Sequence, residues 1–279
     1  MRVQCASPPP FSPAAQAATR PVLPRHALVP GNDFQKSCEP NALDLMGDRL
    51  VDLARYEVCG FAIQPLWQNS LARPVRRTDV LLRKADAPLA LLDEWVLRRA
   101  CRTAAEWPDA LTLSLPLSRR VFHSPDLIKV LVEALNVTDL EAARLELRIG
   151  ERYAAHNSER TRALLFRLRD LGVRIAVECD ARSPQRLNLL DLPCDVISLD
   201  AATCGDLSSE LAALMELGRT LRVTGVSSVP QMLSLCAAGV TQAQGALFGP
   251  ALPMAQALET TGTVGALLLR QMKDLAPNG

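Results

Sequence analysis

The feature of this sequence that most restricts its fold is a regular alternation of short apolar runs with helical patterns from about residue 43 onward. Segments 89–107 and 157–171, for example, repeat apolar residues at the spacing of an amphipathic helix. Eight strands alternating with helices over about 235 residues predict an α/β fold, the (β/α)8 TIM-type barrel. The strand-length runs are FAIQPLW (61–67), DVLLRKA (79–85), LTLSLPL (111–117), LELRI (145–149), RIAVEC (174–179), VISLD (196–200), LRVTGV (221–226) and AQGALFG (243–249).

The competing fold is a doubly wound open sheet, which usually has fewer strands and often a glycine-rich phosphate loop. Neither GxGxxG nor GxxxxGK occurs in the chain, so the barrel is favoured. Residues 1–42 differ from the rest because they hold eight of the 20 prolines and show no periodicity. We therefore predict a disordered, proline-rich N-terminal arm (1–42) followed by one barrel domain (43–279).

Composition and charge argue against several classes of function. The net charge is +1, whereas nucleic-acid-binding domains usually carry a basic excess, so no nucleic acid is expected as a partner. The eight cysteines include no CxxC pair and are interpreted as reduced thiols. The N-terminus lacks a signal-peptide core, and no run approaches the roughly 18 apolar residues of a membrane helix. A cytoplasmic protein without membrane association is expected.

In a barrel of this kind, functional groups lie at the C-terminal ends of the strands. Alternation along LELRI directs Glu146 and Arg148 toward the barrel axis. Divalent cations need several converging oxygen ligands, and the carboxylate candidates here are Asp79, Glu178 and Asp200. An arginine stays protonated and repels a cation. We therefore predict a salt-bridged barrel end in which Arg148 pairs with carboxylates and stands where a metal ion would be.

The order and spacing of the strand ends resemble the EAL domain, the barrel that hydrolyses cyclic di-GMP. FAIQP (61–65) is similar to the family's YQP strand, and WVLRRAC (95–101) is similar to the helix after the signature motif. AGVTQAQGALFGPALP (238–253) matches the motif that ends the family's barrel, with Gln244 and Gly245 kept. The resemblance covers about two thirds of the chain and implies a barrel of the EAL kind.

Most positions that carry chemistry in the family hold other residues here. The replaced positions are Asp79 for the signature Glu, Pro116 for Asn, Arg148 for a metal-binding Glu, Glu178 and Cys179 for an acidic pair, Ser198 for the catalytic Lys, and Thr224 and Ser227 for two glutamates. Family enzymes hold two metal ions that activate water, and losing several cooperating groups leaves little activity. We predict that none of these positions is catalytic and that no metal is bound. The positions that remain for a ligand, if one binds, are Gln64, Arg83, Asp200 and Gln244.

Three functions follow as hypotheses. The leading one is a catalytically inactive EAL-like regulator that needs no cofactor and binds a transcription regulator or signalling protein in cyclic di-GMP-related or motility/virulence signalling. Inactive members of the family work in this way. One alternative is a sensor that binds cyclic di-GMP through Gln64 and Arg83 without cleaving it, although few family contacts survive and binding is expected to be weak or absent. The other is a residual phosphodiesterase, which would need Mg²⁺ at Asp79, Glu178 and Asp200.

Overall fold

A closed ring of eight β-strands forms the centre of the molecule. The computed structural model describes residues 43–68, 74–76, 88–154, 159–179, 192–202, 214–216, 218–261 and 265. Within these ranges each ring strand pairs with two others, which confirms the predicted barrel. The ring consists of β1 (Leu43–Asp52), β2 (Glu57–Gln68), β4 (Thr112–Pro116), β5 (Leu145–Gly150), β6 (Arg174–Cys179), β7 (Val196–Asp200), β8 (Thr220–Thr224) and β9 (Gln242–Ala243), while β3 (Pro74–Arg76) and β10 (Leu252–Pro253) extend it.

The first strand runs in the opposite direction to the other seven. β1 pairs antiparallel with β2 and β9, whereas β2 and β4 to β9 are parallel in succession. A tight turn joins β1 to β2, and there the Asp52 carboxylate accepts the backbone N–H groups of Ala54 and Arg55 at 2.8 and 3.0 Å. The sequence analysis missed β1, because Gly47 and Asp48 are poor strand formers and interrupt its apolar pattern.

The structure confirms six of the eight predicted strands. The other two have different outcomes. DVLLRKA (79–85) lies outside the described residues, and the ring closes without it because β2 pairs directly with β4. AQGALFG (243–249) was predicted as a strand, but β9 ends at Ala243 and residues 246–248 form a 3-10 turn. The backbone φ angles of Gly245 and Gly249 are +152° and +99°, and these values do not continue a strand.

Helices surround the ring and bury the outward-facing side chains of the strands. Two of them confirm the helical patterns at 89–107 and 157–171. The helices are α1 (Pro88–Ala105), α2 (Arg119–Phe122), α3 (Leu127–Thr138), α4 (Glu151–Ala154), α5 (Glu159–Asp170), α6 (Val229–Ala237) and α7 (Met254–Ala257). In the part of the chain that the structure describes, no helix is long and apolar enough to cross a membrane. The predicted arm (1–42) lies outside this part.

The core lies between the ring and the helices and is mainly aliphatic. Leu145, Leu147 and Ile149 of β5 belong to this core, whereas Glu146 and Arg148 pair with Arg222 of β8 and Glu178 of β6, which confirms that these two residues face the barrel axis. Phe61 of β2 packs on Trp107 with ring centroids 5.1 Å apart. Burial of each such side chain contributes about 1.5–3 kcal/mol to folding, so the core holds the strand ends in fixed positions.

Candidate functional site at the mouth of the barrel

The C-terminal ends of the parallel strands meet at one end of the barrel, which we call the mouth. Pairing between neighbouring strands places Pro116 beside Arg148, and Glu178 beside Ser198. β7 and β8 end together, where the last residue of each strand pairs with that of its neighbour. Several residues predicted as site positions are therefore brought to the same edge of the sheet.

Arg148 occupies the mouth as a buried cation. Its Nη2 donates to the backbone carbonyl of Ile63 at 2.9 Å, and its Nη1 lies 3.4 Å from Oε1 of Glu178. The Arg148 side chain is 9% exposed, whereas that of Glu178 is 48% exposed. Burial lowers the pKa of Arg148, and the charge of Glu178 opposes this shift. An arginine still keeps its proton, so the predicted salt-bridged mouth is confirmed for the pair Arg148–Glu178.

A second ion pair fills the barrel one layer deeper than the mouth. Arg222 donates through Nη1 and Nη2 to the two carboxylate oxygens of Glu146 at 2.7 and 2.8 Å. Ser114 donates to the same carboxylate at 2.6 Å, and Arg222 also donates to Oε1 of Gln242 at 2.8 Å. This group of four side chains, which we call the barrel plug, pairs both charges at side chains that are 1% and 0% exposed.

The charge state of the barrel plug follows from its contacts. Burial would by itself raise the pKa of Glu146, but the charge of Arg222 and the hydrogen bonds from Arg222 and Ser114 outweigh it, so the pKa of Glu146 is lowered. Glu146 is therefore a carboxylate at neutral pH and forms a bidentate pair with Arg222. Such a pair fixes the positions of β5 and β8 relative to each other.

Asp48 of β1 links two of the predicted ligand positions. Its Oδ2 accepts a hydrogen bond from Nε2 of Gln64 at 2.6 Å and one from Nε2 of Gln244 at 3.3 Å. β1 thus connects the end of β2 to the segment after β9 through one carboxylate. The sequence analysis did not select Asp48, because nothing in the sequence shows that this residue lies near another 196 positions away.

The other predicted positions at the ends of β6 and β7 differ in their orientation. Cys179 is buried on the side of β6 that faces the helices, and its Sγ lies 3.7 Å from the carbonyl of Val177. Ser198 is also buried and, by strand alternation, shares the face of Asp200. Asp200 is exposed and accepts the backbone N–H of Ala202 at 2.9 Å. The structure therefore directs Cys179 away from the mouth.

The two positions that replace glutamates hold hydroxyl groups with local partners. Thr224 donates from Oγ1 to the carbonyl of Leu199 at 3.2 Å. Ser227 precedes α6, and its backbone N–H donates to Oε1 of Gln231 at 2.9 Å. Ser228 is the N-cap residue of this helix and accepts the N–H of Gln231. Ser227 therefore belongs to the start of a helix. Asp79 and Arg83 lie outside the described residues.

The barrel plug was only partly foreseen from the sequence. The alternation of β5 correctly directs Glu146 inward, but its partner Arg222 lies 76 positions away in an otherwise apolar run. The alternation of side chains along β8 could have indicated this contact, because it places Arg222 on the same face of the strand as Thr224. An inward-facing arginine in a barrel needs a carboxylate, and Glu146 is also directed inward.

Comparison with known proteins identifies the family. Residues 32–251 match the EAL domain, and the chain therefore belongs to the EAL domain family. It is 30% identical over 234 residues to an uncharacterized signaling protein of Caulobacter vibrioides, which covers 80% of this chain and 29% of that protein. It is also 30% identical over 261 residues to the cyclic di-GMP phosphodiesterase NbdA of Pseudomonas aeruginosa, covering 86% and 33%. The chain thus spans about a third or less of the length of these relatives.

A solved structure supports the fold. The PaMucR phosphodiesterase in its complex with c-di-GMP superposes with a TM-score of 0.75 at 23% sequence identity. The superposition covers 81% of this chain and 98% of that chain. At 23% identity this similarity shows that the two chains share the EAL-type barrel fold. It does not extend to activity or ligands.

The residues of the described mouth do not fit the two metal ions that the family resemblance implies. Glu178 faces the guanidinium of Arg148, Pro116 has no side-chain donor atom, and the hydroxyl of Thr224 is bound to a backbone carbonyl. A fixed cation at this place repels a second one. Within the described ranges, no three or more His, Cys, Asp or Glu side chains come together.

Proposed function

We propose that this chain is a catalytically inactive EAL-like protein that regulates cyclic di-GMP-related or motility/virulence signalling by binding another protein. The observation that carries the proposal is the buried Arg148, which pairs with Glu178 at the mouth. The family resemblance implies a metal-binding glutamate at the position of Arg148. A permanent positive charge there disfavours a divalent cation and the activated water that such a cation would supply.

The remaining contacts of the mouth support a structural role for its side chains. Arg148 ties β5 to β2 through the carbonyl of Ile63, and Asp48 ties β1 to the ends of β2 and β9. These bonds add side-chain links between strands that the backbone pairing already joins. A stable barrel that has exchanged its catalytic groups for internal pairs is suited to present its outer surface to a transcription regulator or signalling protein, and it needs no cofactor to do so.

A non-hydrolysing sensor of cyclic di-GMP is the second candidate. The observation in its favour is that Gln64 and Gln244 lie on one carboxylate at the mouth, so two positions that the resemblance assigns to a ligand are close together. Against it, each of these amides already donates one hydrogen bond to Asp48, which a ligand would have to compete with or leave in place. A residual phosphodiesterase is disfavoured because Glu178, one of its three carboxylates, faces Arg148.

A calorimetric titration with cyclic di-GMP in the presence of Mg²⁺, followed by chromatography of the nucleotide, tests the proposal. We expect no heat of binding and no cleavage, because the guanidinium of Arg148 pairs with Glu178 where a metal ion would be needed. The cyclic di-GMP phosphodiesterase NbdA serves as the positive control. Heat without cleavage would favour the sensor, and loss of that heat in Arg83→Ala would assign the binding site. Cleavage that is lost in Glu178→Gln would contradict the proposal.

A further inference from the structure

One outer helix of the barrel carries an exposed aromatic residue between arginines that form no ion pair with the described residues. In α5 the inner face is formed by Thr161, Leu165 and Leu168, all buried against the barrel. Phe166 points the other way and is 47% exposed. The same helix holds four arginines, Arg160, Arg162, Arg167 and Arg169. We call Phe166 and these four arginines the α5 face.

The arginines of the α5 face form two rows along the helix. At about 100° per residue, Arg162 and Arg169 lie on one side of Phe166, and Arg160 and Arg167 lie on the other. The members of each row are seven residues apart, which corresponds to about two helical turns. Arg160, Arg167 and Arg169 are exposed, and Arg162 is half-buried. The face therefore has Phe166 at its centre and a positive row on each flank, while Glu159 and Asp170 lie at the two ends of the central ridge.

The α5 face differs from the charged surface of another outer helix, α1. In α1, Arg98 donates to Glu94 at 2.9 Å and to Glu133 of α3 at 2.8 Å, which is the usual arrangement on a solvated surface. Within the described part of the chain, none of the four α5 arginines forms an ion pair with a carboxylate. Their charges are therefore available to a partner.

We propose that the α5 face is a docking surface for an amphipathic helix of another protein, with an apolar residue packed on Phe166 and a row of Asp or Glu on each flank. This inference deepens the proposed regulatory function and rests on it. Charge complementarity carries the assignment, because two positive rows beside an apolar centre match a helix with two acidic rows. An aromatic residue flanked by arginines is also the composition of strong interface positions.

The same face is poorly suited to nucleic acid or to a second copy of the chain. Four arginines and two carboxylates, Glu159 and Asp170 at the two ends of α5, give this helix a net charge of only +2, whereas a nucleic-acid-binding surface usually carries a larger basic excess. Two α5 faces brought together would place arginine rows against arginine rows, which is unfavourable. A separate protein helix avoids both conflicts if its acidic rows lie opposite the arginines and it has no acidic residue opposite Glu159 and Asp170.

Fluorescence anisotropy with defined probes tests the inference. The probes are three labelled helical peptides of about 18 residues with one apolar stripe, flanked on both sides by Glu, Gln or Lys, and one single-stranded DNA oligonucleotide. We expect the full chain to bind the Glu-flanked peptide about tenfold or more tightly than the Gln-flanked one, and more weakly as salt is raised. The Lys-flanked peptide and the DNA should not bind.

Variants assign the binding to the α5 face. Phe166→Ser and the double variant Arg162→Glu/Arg169→Glu should each weaken binding of the Glu-flanked peptide by about tenfold, with unchanged circular dichroism. The matched controls are Leu233→Ser, which removes an apolar side chain that is 44% exposed on α6, and Arg102→Glu, which reverses an exposed charge in α1. Neither control should change the affinity.

Several outcomes would overturn the inference. Binding of the Glu-flanked peptide that survives both α5 variants, or equal binding of the Gln-flanked peptide, would remove the α5 face as the site. Preferential binding of the DNA would assign the face to nucleic acid. A dimer in sedimentation that Phe166→Ser dissociates would assign it to a second copy. Each of these results leaves the cyclic di-GMP titration unchanged, so failure of the α5 face is distinguishable from failure of the proposed inactivity.

Discussion

Arg222→Met is expected to lower the free energy of unfolding by about 3–5 kcal/mol, because it leaves the carboxylate of Glu146 buried without its counter-charge. Both members of this pair are 1% exposed or less. The measurement is urea denaturation followed by circular dichroism. Arg98→Met is the matched control, since the ion pairs of Arg98 are about one third exposed and their loss should cost less than about 1 kcal/mol.

A double variant tests whether the loss of stability in Arg222→Met comes from the unpaired carboxylate of Glu146. Glu146→Leu combined with Arg222→Met should be more stable than Arg222→Met alone, because apolar residues of similar volume replace a buried pair at little cost. If Arg222→Met is no less stable than Arg98→Met, Glu146 is not held in the barrel plug as a carboxylate.

The barrel plug also gives a pH dependence with a defined sign. The pKa of Glu146 is lower in the folded chain than its ordinary value, so folding is favoured while this group is ionised. Its contribution is complete above the unfolded pKa of about 4.3 and is lost as pH falls below that value. The acid-induced loss of stability should accordingly be smaller in the Glu146→Leu/Arg222→Met double variant than in the wild type.

Gly245→Ala is the second substitution with a large expected effect, a loss of about 2–4 kcal/mol. Gly245 has φ +152°, and an added Cβ would collide with the backbone of Val226. That backbone cannot move aside easily, because the N–H of Val226 donates to Gln244 at 3.0 Å and its carbonyl accepts the N–H of Leu247 at 3.1 Å.

A second glycine provides the control for Gly245. Gly218 also has a positive φ, +64°, but nothing lies within 4 Å of an added Cβ. Gly218→Ala should therefore cost only the backbone strain of about 1 kcal/mol. Urea denaturation of both variants measures the difference between their free energies of unfolding. This difference is the cost of the Cβ collision at Gly245. Equal stability of the two variants would mean that the Gln244–Gly245 segment is not fixed against Val226.

Much of the barrel could be predicted from local sequence, whereas its closure could not. The runs that become β5, β6 and β7 are bounded by clear changes in composition, and strand alternation correctly directs Glu146 and Arg148 inward. β1 was missed because Gly47 and Asp48 weaken its pattern and because its closing partner β9 lies near the other end of the chain. Long-range pairing of this kind leaves no local signal.

In the candidate site, too, the residue types could be read from the local sequence, whereas the contacts between distant strands could not. The charge at Arg148 and its effect on a cation follow from residue type and strand position. The hydrogen bonds of Asp48 to Gln64 and Gln244, and the pairing of Arg222 with Glu146, depend on how distant strands align. Strand register is set by packing of the whole ring, so these contacts could not be read from single segments.

Calorimetric titration of the full chain with Mn²⁺ or Mg²⁺, beside Arg148→Glu and Glu178→Gln, is the most direct test of the claim that a guanidinium has replaced the metal at the mouth. We expect no stoichiometric binding by the wild type, and none by Arg148→Glu alone, because Pro116, Ser198 and Thr224 do not supply the missing carboxylate and amide ligands. Stoichiometric binding by the wild type that Glu178→Gln abolishes, or a clear gain of binding in Arg148→Glu, would contradict the claim.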